Sequence, residues 1–142
     1  MNPQNNKDAD QQVVALVIEP AIQINQRLKD EVLEQVEQQG MVVVQCSCVT
    51  EIEMRIRIWE TTVLIDHSSG NRSKLLHAFG ITVAPVWMFL EAGTTARFTL
   101  VFEKLPKTCE SFDLYEDIPE DNGFHIKNIR RNKSDVYNIR IT

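Results

Sequence analysis

The chain has no long apolar run. Its first hydrophobic stretch, residues 13–18, is six residues long and follows acidic rather than basic residues. A bilayer span needs about 20 apolar residues, and a secretory signal needs a basic flank. Neither is expected, and the default compartment is the cytoplasm. Cysteine is scarce as well: three residues, an odd number, leave at least one thiol unpaired and make a disulfide framework a poor reading. Glycine and proline number five each, too few for a collagen-like or low-complexity chain. Positive charge is in deficit, with 15 Lys and Arg against 20 Asp and Glu, a net charge of −5 and a pI near 5.2. Phosphate backbones and anionic membranes repel such a surface, so neither nucleic acid nor membrane is expected as a partner. There is no internal repeat, no nucleophile elbow of the Gly-x-Ser-x-Gly kind and no motif that fixes a reaction or calls for a cofactor.

What is present is an ordinary globular composition, 43% apolar and 25% charged over 142 residues. A chain of this size buries roughly two-thirds of its unfolded surface, enough for one core without staples. Residues 1–12 are polar and read as a disordered leader, with a single domain over 13–142. Within it, 13–18 suits a short strand. Residues 21–39 lack Gly and Pro, and Ile24, Leu28, Val32 and Val36 recur every four positions, with Leu33 beside them. That spacing predicts one amphipathic helix, opened by Pro20 and capped by Gly40.

After Gly40 the apolar period shortens to two. Strands are predicted over 41–49, 51–59, 62–66, 74–81, 83–90, 97–103, 112–115, 124–129 and 136–141. The most regular is 51–59, with Ile52, Met54, Ile56 and Ile58 on one face and Glu51, Glu53, Arg55 and Arg57 on the other. Residues 83–90 are apolar on both faces and read as central, with Pro85 marking an edge or bulge. Residues 67–71 and 91–95 are turns, and 119–123 is an acidic loop. Eight or nine short strands at roughly ten-residue spacing predict a mainly β antiparallel sandwich or barrel with one N-terminal helix. A βαβ crossover over 13–49 is the alternative reading of the first segment.

Two stretches carry a resemblance: RIWETTVLID at 57–66 followed by GNRSKLLH at 70–77, and FTLVFEKLP at 98–106 followed by FDLYE at 112–116. Together they resemble the core-and-turn layout of small bacterial immunoglobulin-like β-sandwich domains. In that layout a strand ends in Asp, a Gly turn leads to the next strand, and a Phe-x-Leu-x-Phe strand precedes a Phe-Asp-Leu strand. The whole chain is also similar to bacterial proteins with no assigned role. The resemblance implies a sandwich fold of about eight strands and no chemistry.

Several clusters contain chemically capable side chains. Cys46 and Cys48 share a strand face, and with Cys109 and one of His67, His77 or His125 they amount to four zinc ligands, although the spacing is not that of a knuckle. As buried small apolar residues they need no metal. Asp66, His67, Ser68 and Ser69 include the residue types of a hydrolytic triad, in a stretch that reads more simply as a turn. Glu116, Asp117, Glu120 and Asp121, with Asn122, gather oxygen ligands of the kind hard cations take, or form a solvated loop. Lys127, Arg130, Arg131 and Lys133 form a short basic run without interleaved aromatics, read as a salt-paired surface. Trp59 shares its predicted face with Arg55 and Arg57, an arrangement that interfaces use, and Trp87 is a second candidate platform. The reading that follows is a non-catalytic protein-interaction or structural module. It docks a protein partner or a second copy of itself through the helix stripe Ile24, Leu28, Val32 and Val36 or through Trp59. The alternatives are a metal-binding protein or metal-dependent enzyme, and a small-ligand carrier.

Overall fold

A computed structural model describes residues 19–119 and 123–141, with the side chains of 19–25, 37 and 38 outside that description. It is mainly β with one helix. The elements are α1 (Glu19–Gln39), β1 (Val42–Val49), β2 (Met54–Ile56), β3 (Thr62–Asp66), β4 (Arg72–Phe79), β5 (Met88–Leu90), β6 (Thr95–Phe102), β7 (Ser111–Glu116), β8 (His125–Arg130) and β9 (Val136–Ile141). The predicted strand at 13–18, and with it the βαβ alternative, lies outside the described residues.

The helix ends as its sequence asks. Gly40 adopts φ 71°, open to glycine at little cost, and the Met41 N–H reaches back to the Val36 carbonyl at 3.0 Å. That is the six-to-one bond of a Schellman cap, and Met41 packs in the same apolar cluster as Val36.

Seven strands form one sheet in the order β9-β1-β6-β4-β3-β7-β8, and β2 pairs with β5 in a separate two-stranded ribbon. Every neighbour in the large sheet is antiparallel except β9, which lies parallel to β1 with Tyr137 opposite Val44. The sheet is therefore mixed, and the expectation of an antiparallel sandwich is corrected on this point. The expectation of two facing sheets gives way to a single curled one. Val44 of β1, Leu64 of β3, Phe112 of β7 and Tyr137 of β9 belong to one buried cluster, so the sheet bends round and packs its inner face against itself. Register shifts in the β4–β6 and β7–β8 ladders mark bulges, which increase twist and bend a sheet.

The curl also explains the parallel strand. β8 and β9 occupy opposite edges of the sheet, yet only residues 131–135 join them. Five extended residues span at most about 18 Å. The two edges must lie near one another, and the chain crosses that gap to enter beside β1.

β6 is covered on both sides. Phe98, Leu100 and Phe102 point into the core as their spacing predicts, while Val101 points outward with Val43 against Val32 and Val36 of α1. The helix stripe thus covers the outer face of its own sheet at these two positions.

The 51–59 stretch departs most from expectation. Only 54–56 is strand, Ile52 is 72% exposed and Met54 is also exposed, while Ile58 is buried and bridges to Val83. Thr50 Oγ1 donates to the Ile52 carbonyl, a local turn that takes the chain off the sheet before the alternation can be used. Residues 83–87 are not central strand either. They hold a cis Ala84–Pro85 bond and expose Val83, Val86 and Trp87.

Candidate functional site

Two surfaces bring chemistry-bearing side chains together, and neither is local in sequence. The first is centred on Asp113. On β7, Phe112 and Leu114 point into the core, which turns Ser111, Asp113 and Tyr115 to the outer face. His67, the first residue after β3, is brought alongside by the pairing of β3 with β7, and its N–H bonds the Ser111 carbonyl. Its Nδ1 lies 2.8 Å from Ser111 Oγ and its Nε2 2.5 Å from Asp113 Oδ1. His125 of β8 reaches Asp113 Oδ2 with Nε2 at 2.8 Å and tilts against the Tyr115 ring. Asn128 sits at φ 62° in the β7–β8 bulge, and that conformation aims its N–H at Asp113 Oδ1, 3.0 Å away.

One carboxylate thus ties the β3 end, β7 and β8 together. Partial burial pushes its pKa up, but the Asn128 amide and the two imidazoles prevail and hold the carboxyl down at about 2. A carboxyl depressed on folding adds stability that is present above its ordinary value near 3.8 and is lost as pH falls from there towards 2. NMR titration of the Asp113 carboxyl should give a midpoint near 2. Asp113→Asn should flatten the acid limb of the stability curve in that window. A midpoint near 3.8 would show that the histidine pair does not act on it.

His67 therefore belongs with Ser111 and Asp113 and not with Ser68 and Ser69. Asp66 instead closes the 67–71 turn as predicted: Ser69 Oγ donates to it at 2.6 Å, and the Ser68 N–H caps it at 3.2 Å. Although the types Ser, His and Asp meet at Ser111, the serine sits within a paired strand with its carbonyl occupied, not on a sharp turn that would present its oxygen. The cluster acts as a clamp between strands.

The second surface lies on the β2–β5 ribbon and the 83–87 loop. The Arg57 guanidinium lies over the Trp87 ring at 3.7 Å and within 5.2 Å of the Trp59 ring, while Arg55 stands 5.4 Å from Trp87. Arg57 Nη1 donates to the Pro85 carbonyl, anchoring the loop, and Arg57 Nε is buried with no partner among the described residues. In the same loop Val83 and Val86 are exposed, as are Met54 of the ribbon and Ile52 before it. The association of Trp59 with Arg57 was readable from alternation, whereas the capture of Arg57 by Trp87 was not.

The remaining candidates fall elsewhere. Cys46 and Cys109 lie in the core, where burial pushes their thiols up to about 12 and about 11 and keeps both protonated; Cys48 is half-buried on β1. Glu116 is buried beside Phe124 N–H, and Asp117 pairs with Arg72 at 3.2 Å. Glu120 and Asp121 lie outside the described residues. No group of three His, Cys, Asp or Glu among the described residues is placed to hold a metal ion. In the basic run, Arg131 pairs with Asp135, four residues on. Ile24 lies where side chains are not described, Val32 and Val36 pack on the sheet, and Leu28 is 49% exposed. No described helix is long and apolar enough to cross a membrane. Searches of family models, of curated proteins and of solved structures return no match to the chain.

Proposed function

We propose that this chain is a protein-interaction module that docks a second polypeptide on the Arg57–Trp59–Trp87 surface. The observation that carries the reading is one guanidinium within reach of two indoles, beside a loop that exposes Val83 and Val86. Trp and Arg are the residues in which interface energy concentrates, and a stacked guanidinium is already ordered, so docking orders less. The partner segment this surface suits is extended and apolar with acidic groups, because Arg55 and Arg57 supply the charge and the short β2–β5 ribbon presents backbone edges for strand addition. The pattern from Trp59 to Ile118 supports a distant immunoglobulin-like kinship, which this reading does not require.

Native mass spectrometry of the tagged protein isolated from its own host tests the proposal. The wild type should carry the mass of one further polypeptide or a second copy. Trp87→Asp should appear as a bare chain with its thermal midpoint unchanged, since Trp87 is 38% exposed and outside the core. A bare wild-type monomer, or a complex that survives the substitution, would remove this surface from consideration.

A further inference from the structure

The outer face of the β9–β1–β6–β4 part of the sheet changes character along the strands. Ladder partners share a face, so the register fixes the rows. The first row is Val136, Val43, Val101 and His77, and here Val36 of α1 packs. The second is Asn138, Gln45, Thr99 and Phe79, and the third is Arg140, Ser47 and Arg97. Successive rows lie about 6.6 Å apart and successive stripe residues on a helix about 6 Å apart. The helix therefore keeps pace with the rows while the floor under it turns from aliphatic to amide and hydroxyl and then to guanidinium. Leu28, the next member of the stripe, lines the same space as Phe79, the one apolar member of the second row, and stays 49% exposed. Between these earlier turns of α1 and the sheet lies a cavity of about 860 Å³, lined by Lys29, Arg97 and Arg140 and, among the described residues, by no carboxylate. Among the described residues none of these three cations forms an ion pair. In a chain of net charge −5, an unanswered cluster of three cations is the opposite of the average surface.

We propose that this groove binds a small organic anion with two acidic groups, held by Arg97 and Arg140 on either side of Ser47 and by Lys29 from the helix. The volume is that of small-molecule sites. The arginines stand two strand spacings apart, about 9.5 Å at the backbone, so a single acidic group leaves part of the charge unmatched. Guanidinium pairs well with both carboxylate and phosphate, and Phe79 with Leu28 offers an apolar wall for the body of the ligand. The site shares no residue with the surface proposed for the polypeptide partner and does not rest on it.

Titration calorimetry and thermal shift with inorganic pyrophosphate and with citrate test the site and separate its two chemistries. One of the two anions should bind and raise the melting temperature, and whichever binds more tightly assigns phosphate or carboxylate. Arg97→Ala and Arg140→Ala should each weaken binding by about tenfold or more, because each removes a charge-assisted contact. Both arginines are exposed or at the sheet edge, so these variants should fold as the wild type does. Ser47→Glu places a carboxylate between the two guanidiniums; it should raise the melting temperature without added anion and abolish binding. Failure of both anions to bind, or binding that the arginine substitutions leave unchanged, would overturn the proposal.

Discussion

Arg131→Ala should lower the free energy of unfolding by about 2–4 kcal/mol, somewhat below the roughly 3–5 kcal/mol for breaking a fully buried pair. Arg131 lies in the short connection that crosses from one sheet edge to the other. Its Nε and Nη2 meet both oxygens of Asp135 at 3.1 Å, and its Nη1 donates to the Pro106 carbonyl at 2.5 Å and to the Cys109 carbonyl at 3.4 Å. Asp135 in turn accepts the Tyr137 hydroxyl at 2.8 Å. One side chain thus joins the β8 exit, the 106–109 turn and the β9 entry. Its removal leaves the Asp135 carboxylate half-buried without its counter-charge and the Cys109 carbonyl without its donor, while the Pro106 carbonyl keeps only the Cys109 N–H. The discount from the fully buried figure follows from side-chain exposures of 20% and 17% for the pair. Urea denaturation of wild type and variant measures the difference. A change under about 0.5 kcal/mol, the range of ordinary surface substitutions, would mean the connection is held by its backbone alone.

Phe112→Ala should cost still more, about 3–5 kcal/mol. Phe112 is fully buried on the inner face of β7 and meets the Tyr137 ring edge-on, centroids 5.0 Å apart at 82°. The pair bridges the interior from β7 to β9, so truncation opens a cavity where the curl is closed and also removes an aromatic contact worth about 0.5–1.5 kcal/mol. Domains of this kind hold about 5–15 kcal/mol in total, so the variant should melt at a markedly lower temperature or fail to accumulate folded. Phe112→Leu, which keeps most of the volume, should recover most of the loss. If Phe112→Ala cost less than about 1.5 kcal/mol, the two halves of the sheet would not be packed on each other as described.

Where sequence reasoning succeeded, the signal was local and had a backbone cause. β3 was bounded at both ends by its composition and by the Gly70 turn. Phe98, Leu100 and Phe102 alternate on a strand that does use that alternation. Gly40 sits where a left-handed residue closes the helix. The 51–59 stretch shows the limit. Alternating isoleucine and charge is what a half-buried strand requires, but it does not guarantee a neighbour, and here the chain leaves the sheet at Thr50. The Asp113 cluster was illegible for a different reason. His67 and Asp113 are 46 residues apart, and they meet because β3 pairs with β7. Periodicity tells which face a residue takes and not which strand lies alongside. The same holds for the rows under α1: Arg97 and Arg140 belong to one site because β9 lies parallel beside β1, a pairing that alternation within each strand does not determine.

That parallel pairing also sets an order of events in the cell. β1 is among the first parts of the sheet to leave the ribosome, and β9, its edge partner, follows only after all seven intervening strands. Until then β1 offers Val42, Val44 and Cys46, all destined for the core, along an unpaired backbone edge. Such an edge is a template for the wrong strand, and contacts between segments so distant along the chain form slowly. Growing chains of this protein therefore carry an open seam from the synthesis of β1 until that of β9. Its burden on chaperones should fall on chains that have made β1 but not yet β9.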